Sequence, residues 1–298
     1  MSSDSVIETH DLSKRYGDFQ AVDRLSFSAR RDRITGFLGR NGAGKSTTIK
    51  MLLGMVAPTS GDGRVLGHPI DDPGESLLIR RRIAYVGEDK GLYSYMTVSQ
   101  LIRFTRSFYL DWRPDVERQL LHEFELPPRR KVKALSKGMR TKLALLLALA
   151  RQPAILILDE PTEGLDPVSI DALLQALVAR SGQPTAIFFS SHQLGEVERI
   201  ADDIVMIDRG RVVLAGALDD IQDQYRSIVA GFASEPAADA FQMPGVERVR
   251  ISGRQVTILA SSNADEVIRR VESLGAVSVD ATPLSLRELF LDKVRGDR

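Results

Sequence analysis

The residues of this chain that are best suited to chemistry lie in one glycine-rich segment. Four residues there match the pattern Gly-x-x-x-x-Gly-Lys-Ser: Gly39, Gly44, Lys45 and Ser46. Glycines allow a loop to curl until its backbone N–H groups point at phosphate oxygens. A lysine ammonium suits the outer phosphates of a nucleotide, and a serine hydroxyl suits Mg²⁺. The segment therefore predicts a phosphate-binding loop.

The flanking sequence supplies the context that such a loop requires. The apolar run Ile34–Leu38 predicts a buried strand before the loop, and apolar spacing over Thr47–Val56 predicts a helix after it. The helix would add the positive end of its dipole to an anion site. A glycine-rich turn that binds no ligand is the alternative, and this strand and helix disfavour it.

Two carboxylates form a second chemical group. Asp159 and Glu160 follow the continuous apolar run Ile155–Leu158, which is typical of a parallel strand buried on both faces. Beside a phosphate loop, Asp159 can hold the Mg²⁺ shell and Glu160 can polarise a water aimed at the γ-phosphate. Two solvated acids at a strand end are the alternative interpretation.

A third segment, Leu135–Arg140, opens an apolar helix predicted over Leu143–Ala150. Ser136 is suited to cap the N-terminus of that helix, and Gly138 permits an anion to approach the backbone closely. Taken alone, the segment predicts only a capped helix. Its position shortly before Asp159 favours a role at the same site.

In this order, the segments resemble the nucleotide-binding subunit of an ABC transporter. The resemblance runs from residue 4 to about residue 220. It rests on the phosphate loop, a helical insert, the Leu-Ser-x-Gly signature at 135–138, the strand end at Asp159-Glu160, Gly164-Leu-Asp166 and Ser190-Ser-His192. It implies an α/β fold with a P-loop NTPase core that binds and hydrolyses ATP with Mg²⁺.

The resemblance also implies roles for individual residues. Tyr16 would stack on adenine. Glu160 would be the catalytic base, Asp159 would assist the metal, and His192 would contact the γ-phosphate. The residues that would hold the triphosphate and Mg²⁺ are Gly39, Asn41, Gly42, Gly44, Lys45, Ser46 and Thr47.

Three further residues would act across a dimer of such subunits. Ser136 and Gly138 would face the ATP of the opposite subunit, and Asp166 would bridge between the two sites. The second ATPase subunit is either a copy of this chain or a different one. By the same resemblance, closure of the dimer and hydrolysis would drive a separate transmembrane permease.

Two positions depart from the family pattern. Glu88 stands where the family commonly has glutamine. A carboxylate ligates Mg²⁺ at least as well as an amide, but it adds negative charge near the γ-phosphate. We therefore expect Glu88 among the catalytic residues with Lys45, and among the metal ligands with Ser46 and Asp159. The signature reads Ser-Lys-Gly-Met where Ser-Gly-Gly-Gln is usual, and the added Lys137 charge would favour ATP.

The elements that position these residues divide the chain into two predicted domains. Residues 1–222 are expected to form the ABC ATPase domain, with an antiparallel β subdomain near its start and a helical insert at about 89–150. Residues 58–63 are expected to form a turn, because proline and glycine cluster there. Residues 223–298 predict a small α+β accessory domain in the ferredoxin-like order βαββαβ, with its first helix at Pro236–Phe241.

Composition and charge narrow the functional classes. Forty basic and forty acidic residues cancel, so no net field draws the chain to nucleic acid. The absence of cysteine excludes disulfides and thiolate metal sites. We expect no secretory signal, because the first residues, Met-Ser-Ser-Asp-Ser, offer no basic segment and no apolar core. We also expect no membrane span, because the most apolar segment, Leu143–Leu158, is interrupted at Arg151–Pro153. We expect a soluble cytoplasmic protein that is held at the inner face of the plasma membrane through its permease.

The sequence leaves two questions open. Six aromatic residues form either the core of the helical insert or a socket for a cytoplasmic loop of the permease: Tyr93, Tyr95, Phe104, Phe108, Tyr109 and Trp112.

The alternative function is a soluble ABC-type ATPase that acts on ribosomes or DNA, which a single cassette and zero net charge disfavour. The segment Pro283–Phe290 resembles the tails of ATPases paired with export permeases, which favours export.

Overall fold

The computed structural model describes residues 4–180 and 185–296. The chain divides into two compact units, Met1–Ala215 and Gly216–Arg298, whereas the sequence places the domain boundary between residues 222 and 223. Across the described ranges, every helix is too short or too polar to cross a bilayer.

The first unit carries two sheets and a set of helices. Its strands are β1 (Ser5–Tyr16), β2 (Phe19–Arg30), β3 (Ile34–Gly39), β4 (Ser60–Val65), β5 (His68–Pro69), β6 (Ile83–Val86), β7 (Ile155–Asp159), β8 (Ala186–Ser191), β9 (Asp203–Asp208) and β10 (Arg211–Ala217). Its helices are α1 (Lys45–Leu52), α2 (Pro73–Arg82), α3 (Val98–Arg106), α4 (Pro114–Glu123), α5 (Lys137–Leu149), α6 (Pro167–Val178) and α7 (Leu194–Glu198).

The central sheet determines where the chemistry can gather. Its spatial order is β10-β9-β3-β8-β7-β6, and β3, β8 and β7 run parallel to one another. Ile155–Asp159 is buried throughout, so the prediction of a strand covered on both faces is confirmed. The carboxyl ends of parallel strands meet at one edge, which is where α/β folds bind ligands. The segments after β3, β7 and β8 therefore start side by side.

The antiparallel sheet, in the order β2-β1-β4-β5, packs on the central sheet through aromatic rings. The ring of Phe27 on β2 lies 5.6 Å from that of Phe37 on β3 and 5.9 Å from that of Phe188 on β8, measured between centroids. The predicted pairing of the first two strands is confirmed, with Tyr16 directly opposite Phe19 at the turn. This core fixes β3 beneath the N-terminal hairpin.

Two local predictions were wrong, each because of a glycine. Residues 58–63 do not form only a turn, since Ser60–Val65 is a strand paired with β1; Gly61 lies against the backbone of Asp11, where a Cβ would be 2.2 Å from its carbonyl oxygen. The helix after the phosphate loop ends at Leu52 instead of Val56. Gly54, at φ +62°, stops it, and its N–H donates to the Met51 carbonyl in a C-terminal cap.

The second unit is a separate α+β fold. Its elements are α8 (Leu218–Gln224), β11 (Arg226–Phe232), β12 (Val246–Ser252), β13 (Gln255–Ala260), α9 (Ala264–Ser273), β14 (Ala276–Pro283) and α10 (Leu286–Gly296). The strands form an antiparallel sheet in the order β12-β13-β11-β14, as the predicted split unit requires. The first predicted helix is wrong in part: only a 3₁₀ turn, Ala238–Phe241, forms there. Pro236 and Pro244 bracket a segment too short for an α-helix.

Candidate active site

The phosphate loop joins β3 to α1 at the carboxyl edge of the central sheet. Gly42 and Gly44 have φ values of +81° and +106°, which glycine adopts without strain. A Cβ at Gly39 would lie 2.7 Å from the carbonyl oxygen of Ile207, and one at Gly44 would lie 2.5 Å from that of Ala21. The loop is therefore pressed against neighbouring backbone, and glycine is required for close approach as well as for conformation.

Lys45 begins α1 and turns its side chain back under the loop. Its ammonium donates hydrogen bonds to the carbonyl oxygens of Gly39 at 2.6 Å and Arg40 at 3.3 Å. The same nitrogen lies 3.0 Å from Glu160 Oε1, and the two side chains are only 6% and 9% exposed. This contact is an ion pair without hydrogen-bond alignment, because Oε1 has no such partner among the described residues.

The two predicted carboxylates stand at the end of β7 and face different partners. The Ser190 hydroxyl donates a hydrogen bond to Asp159 Oδ1 at 2.7 Å, and its oxygen accepts one from the backbone N–H of Glu160 at 3.0 Å. Glu160 adopts φ +47°, a left-handed conformation that is unfavourable for a side chain of this type. Ser190 therefore holds both acids, although sequence reasoning gave it no role of its own.

His192 follows β8 and contacts Glu160 twice. Its Nδ1 lies 2.9 Å from Glu160 Oε2, and its backbone N–H donates to the same oxygen at 3.3 Å. Because an ionised carboxylate only accepts, this geometry requires the proton on Nδ1. Nε2 is then the imidazole nitrogen that remains for another partner. The structure thus brings Lys45, Glu160 and His192 together, as the sequence predicts.

A cavity of about 330 Å³ opens beside Lys45 and Glu160, and His192 reaches it only through its contact with Glu160, since it does not line the cavity itself. The predicted residues that line it are Asn41, Gly42, Gly44, Lys45, Ser46, Thr47, Glu88 and Glu160, and the additional ones are Phe19, Ala21, Arg40 and Glu163. Phe19 is 63% exposed and stands opposite Tyr16 across the turn at Gly17-Asp18. Tyr16 itself does not line the cavity, and Lys14 Nζ lies 5.2 Å from the centroid of its ring. An aromatic residue paired with Tyr16 across a two-residue turn is the signal that sequence reasoning missed.

Glu88 follows β6 and meets Glu163 at the cavity rim. The negative charge of Glu163 is the main cause that raises the pKa of Glu88 above its ordinary value, followed by burial and by Asp89. The departure from glutamine at this position therefore places two acidic groups side by side near the phosphate loop.

The acidic groups near the phosphate loop suit Mg²⁺ better than a metal ion that needs three or more protein ligands. Within the described ranges, no cluster of three His, Cys, Asp or Glu residues could hold a metal by itself. Mg²⁺ usually takes one or two protein oxygens and completes its shell with phosphates and water. Ser46 and Glu88 line the cavity, while Asp159 lies buried behind it with Oδ1 bound to Ser190.

The signature residues form a second patch away from this cavity. The Ser136 hydroxyl caps α5 by accepting the Met139 N–H at 3.1 Å. Asp166 caps α6 by accepting from the backbone and the hydroxyl of Ser169, at 2.9 and 2.7 Å, and the hydroxyl bond lowers the pKa of Asp166. A Cβ at Gly138 would be 2.6 Å from Ser169 Oγ, so α5 and α6 meet here. Gly138, which is buried, and the exposed Asp166 therefore lie close together through Ser169, near the exposed Ser136 at the start of α5, and none of the three lines the cavity of the phosphate loop.

Comparisons with known proteins agree with this geometry. The ABC transporter family matches residues 22–163. The chain is 34% identical to the uncharacterized ABC transporter ATP-binding protein YhaQ of Bacillus subtilis, over 95% of this chain and 96% of that protein. It is 31% identical to the Nod factor export ATP-binding protein I of Rhizobium etli, over 96% of this chain and 92% of that protein. A solved structure of an ATP-binding subunit of an ABC transporter is 34% identical, with a TM-score of 0.66 over 74% of this chain and 93% of that one. The chain belongs to the family of ABC transporter ATP-binding subunits, and it is an ATP hydrolase.

Proposed function

We propose that this chain pairs with a second ATPase subunit around two ATP molecules and drives a separate membrane permease at the inner face of the plasma membrane. ATP hydrolysis is supported by two consecutive contacts, from Lys45 to Glu160 and from Glu160 to His192. They lie at the edge of a parallel sheet and beneath the glycine-rich loop. This arrangement supports phosphoryl transfer from ATP to water.

In the proposed mechanism, each of the three residues has one task. Lys45, held by two loop carbonyls, offers its ammonium to the outer phosphates. Glu160 accepts the proton of the attacking water, a contribution of about 10²–10⁴ in rate for such a base. His192, whose Nδ1–H is directed at Glu160, would donate from Nε2 to a γ-phosphate oxygen when the ring carries a second proton, because an unprotonated Nε2 only accepts. Mg²⁺, held by Ser46, Glu88 and Asp159, would neutralise charge on the phosphates.

We propose that the patch of Ser136, Gly138 and Asp166 receives the ATP of the opposite subunit. These residues lie outside the cavity that contains the phosphate loop of the same chain. The positive end of the α5 dipole and the Lys137 ammonium suit an anion. An ATP molecule bound by one loop and one signature would close the dimer, and its hydrolysis would open it.

For the permease contact, we propose four exposed aromatic residues, named here the aromatic ladder: Tyr93, Tyr95, Phe104 and Phe108. Their rings follow one another at centroid distances of 5.0–6.0 Å, and Tyr95 and Phe108 are each 65% exposed. The other two aromatics of the insert have internal partners: Trp112 is buried and donates to Glu117, and Tyr109 stacks under Arg151. An exposed aromatic cluster suits a protein interface.

The name of one relative, the Nod factor export ATP-binding protein I, supports export as the direction of transport. Besides the Nod factor export protein, a bacitracin transport ATP-binding protein of Bacillus licheniformis is 34% identical over 74% of this chain. The transported compound would be recognised by the permease.

The test is affinity purification of the tagged chain from detergent-solubilised membranes of its host. We expect a multi-span membrane protein in stoichiometric amount, and we expect the double variant Tyr95→Ser with Phe108→Ser to lose it. The control is Val277→Ser, which changes a residue that is 75% exposed in the second unit. Recovery with ribosomes or DNA, and without a membrane protein, would contradict the proposal.

A further inference from the structure

A buried carboxylate outside the predicted site connects the two segments that carry Glu160 and His192. Glu196 lies in α7 and is only 7% exposed. Its Oε2 accepts a hydrogen bond from Thr162 Oγ1 at 2.6 Å and lies 3.3 Å from the Ser191 hydroxyl, which also donates to it.

Thr162 and Ser191, the two partners of Glu196, lie close to the proposed catalytic residues in the sequence. Thr162 lies two residues after Glu160, in the segment that leaves β7, and Ser191 immediately precedes His192 at the end of β8. Glu196 therefore links the segment after β7 to the end of β8 by hydrogen bonds, close to the contact between Glu160 and His192.

The backbone of Glu160 requires such support. Its φ of +47° is a conformation that costs a non-glycine residue on the order of 1–3 kcal/mol and persists only where the surroundings enforce it. On the N-terminal side, the Ser190 hydroxyl holds the Glu160 N–H at 3.0 Å. On the C-terminal side, the Glu163 N–H donates to the Glu160 carbonyl at 3.3 Å, and the bond between Thr162 and Glu196 is a second anchor two residues further on.

Packing alone does not account for a carboxylate at this position. Glu196 Oε1 is buried without a hydrogen-bond partner among the described residues. Burial raises the pKa of Glu196, while the bonds from Thr162 and Ser191 oppose that shift. An apolar side chain of the same size would avoid the cost of an unsatisfied buried oxygen. The acceptor must therefore serve the two hydroxyls.

We propose that Glu196 is a positioning residue for ATP hydrolysis, which keeps Thr162 and Ser191 together so that Glu160 and His192 stay in register at the γ-phosphate. The inference rests on the proposed roles of Glu160 and His192. Glu196 itself touches no substrate.

Two substitutions separate the hydrogen bonds from the volume of the side chain. Glu196→Met keeps the size and removes both acceptors, and we expect kcat to fall about 10- to 100-fold, as small misplacements of catalytic groups do. ATP affinity, measured with a fluorescent ATP analogue, should stay close to the wild-type value, and Tm should fall by only a few degrees, because the buried Thr162 hydroxyl loses its acceptor. Glu196→Gln keeps an accepting oxygen and should retain kcat within about threefold.

The donor side provides an independent test. Thr162→Val removes the hydroxyl without changing the shape of the side chain, and its loss of kcat should not add to that of Glu196→Met, because both break one connection. A merely structural role would lower Tm and the amount of folded protein and leave kcat per folded molecule unchanged. That result, or a wild-type kcat for Glu196→Met, would overturn the proposal.

Glu160→Gln, measured beside these variants, distinguishes a failure of the positioning role of Glu196 from a failure of Glu160 as the base. If it is inactive while Glu196→Met has wild-type kcat, only the positioning role is refuted. If Glu160→Gln hydrolyses ATP at the wild-type rate, the proposed base is refuted and the positioning role with it.

Discussion

Lys45 and Glu160 form a buried ion pair, with Lys45 Nζ 3.0 Å from Glu160 Oε1. The proposed phosphate-binding cation and the proposed base are therefore in direct contact. Each also has a second partner: Lys45 donates to the Gly39 carbonyl, and Glu160 accepts from His192. Breaking a buried pair by removing one partner typically costs about 3–5 kcal/mol. Tests of the base must therefore keep the shape and polarity of the side chain.

Glu160→Gln meets that requirement. The amide keeps the shape of the side chain and one accepting oxygen for His192, but it loses the charge that pairs with Lys45 and cannot take a proton from water. We expect kcat to fall about 10²–10⁴-fold, since that is the contribution of a general base, while ATP binding persists. Light scattering with ATP present should then report a stable dimer, because bound ATP is no longer consumed. The control is Glu272→Gln, an exposed residue of α9; an active Glu160→Gln variant would refute the assignment.

Phe19 is expected to contribute to recognition of the nucleotide base. It lines the cavity and is 63% exposed, with Tyr16 as its cross-strand neighbour. An aromatic contact adds about 0.5–1.5 kcal/mol beyond its buried area, so Phe19→Ala should raise the KM for ATP roughly 2- to 12-fold with little change in kcat. Phe19→Tyr keeps the ring and should behave as the wild type. Equal KM values for Phe19→Ala and the wild type would contradict this role.

The difference between Tyr16 and Phe19 illustrates what the sequence can predict. Apolar runs such as Ile155–Leu158 specify parallel strands, and parallel strands place their carboxyl ends together, so the pattern placed Lys45 and Glu160 at one edge. The position of His192 was expected from the resemblance to ABC transporter subunits. Which side of a hairpin turn faces a cavity depends on twist and packing, which no local pattern encodes. The anchor at Glu196 is likewise formed by packing between segments far apart in the chain.

Glycine shows the same limit in secondary structure. Gly61 suggested a turn, yet it serves the close approach of β4 to β1. Gly54, inside an apolar pattern that continues to Val56, ends α1 by taking a left-handed conformation. Both outcomes depend on which neighbouring backbone lies within contact distance, and that is determined only in the folded chain.

The pair of Glu88 and Glu163 predicts a pH-dependent stability. Because Glu163 raises the pKa of Glu88 in the folded chain, the folded state binds a proton there more tightly than the unfolded state. This contribution to stability is present below the unfolded pKa of about 4.5 and is lost as the pH rises through the raised value. Glu88→Gln should therefore raise Tm relative to the wild type at pH 7, and the difference should disappear near pH 4. Glu163→Gln, which removes the main cause of the shift, should act similarly; a Tm difference independent of pH would contradict the argument.

Gly39 provides the sharpest test of the loop geometry. A Cβ there would lie 2.7 Å from the Ile207 carbonyl oxygen and 3.0 Å from the Ile207 side chain. Backbone cannot yield as a flexible side chain does, so Gly39→Ala must displace either β9 or the start of the phosphate loop. Overpacking of this kind costs about 1–3 kcal/mol, and we expect a lower Tm together with weakened ATP binding.

Gly195 is the matched control for this substitution. It lies in α7, and a Cβ there would meet nothing within 4 Å. Alanine is favoured over glycine in a helix by about 1 kcal/mol, so Gly195→Ala should keep or slightly raise Tm and leave ATP binding unchanged. If Gly39→Ala retained wild-type ATP affinity and Tm, a Cβ at position 39 would fit beside the Ile207 carbonyl oxygen without displacing β9 or the loop. The close fit of β3, β9 and the phosphate loop would then be refuted as the reason for glycine at position 39.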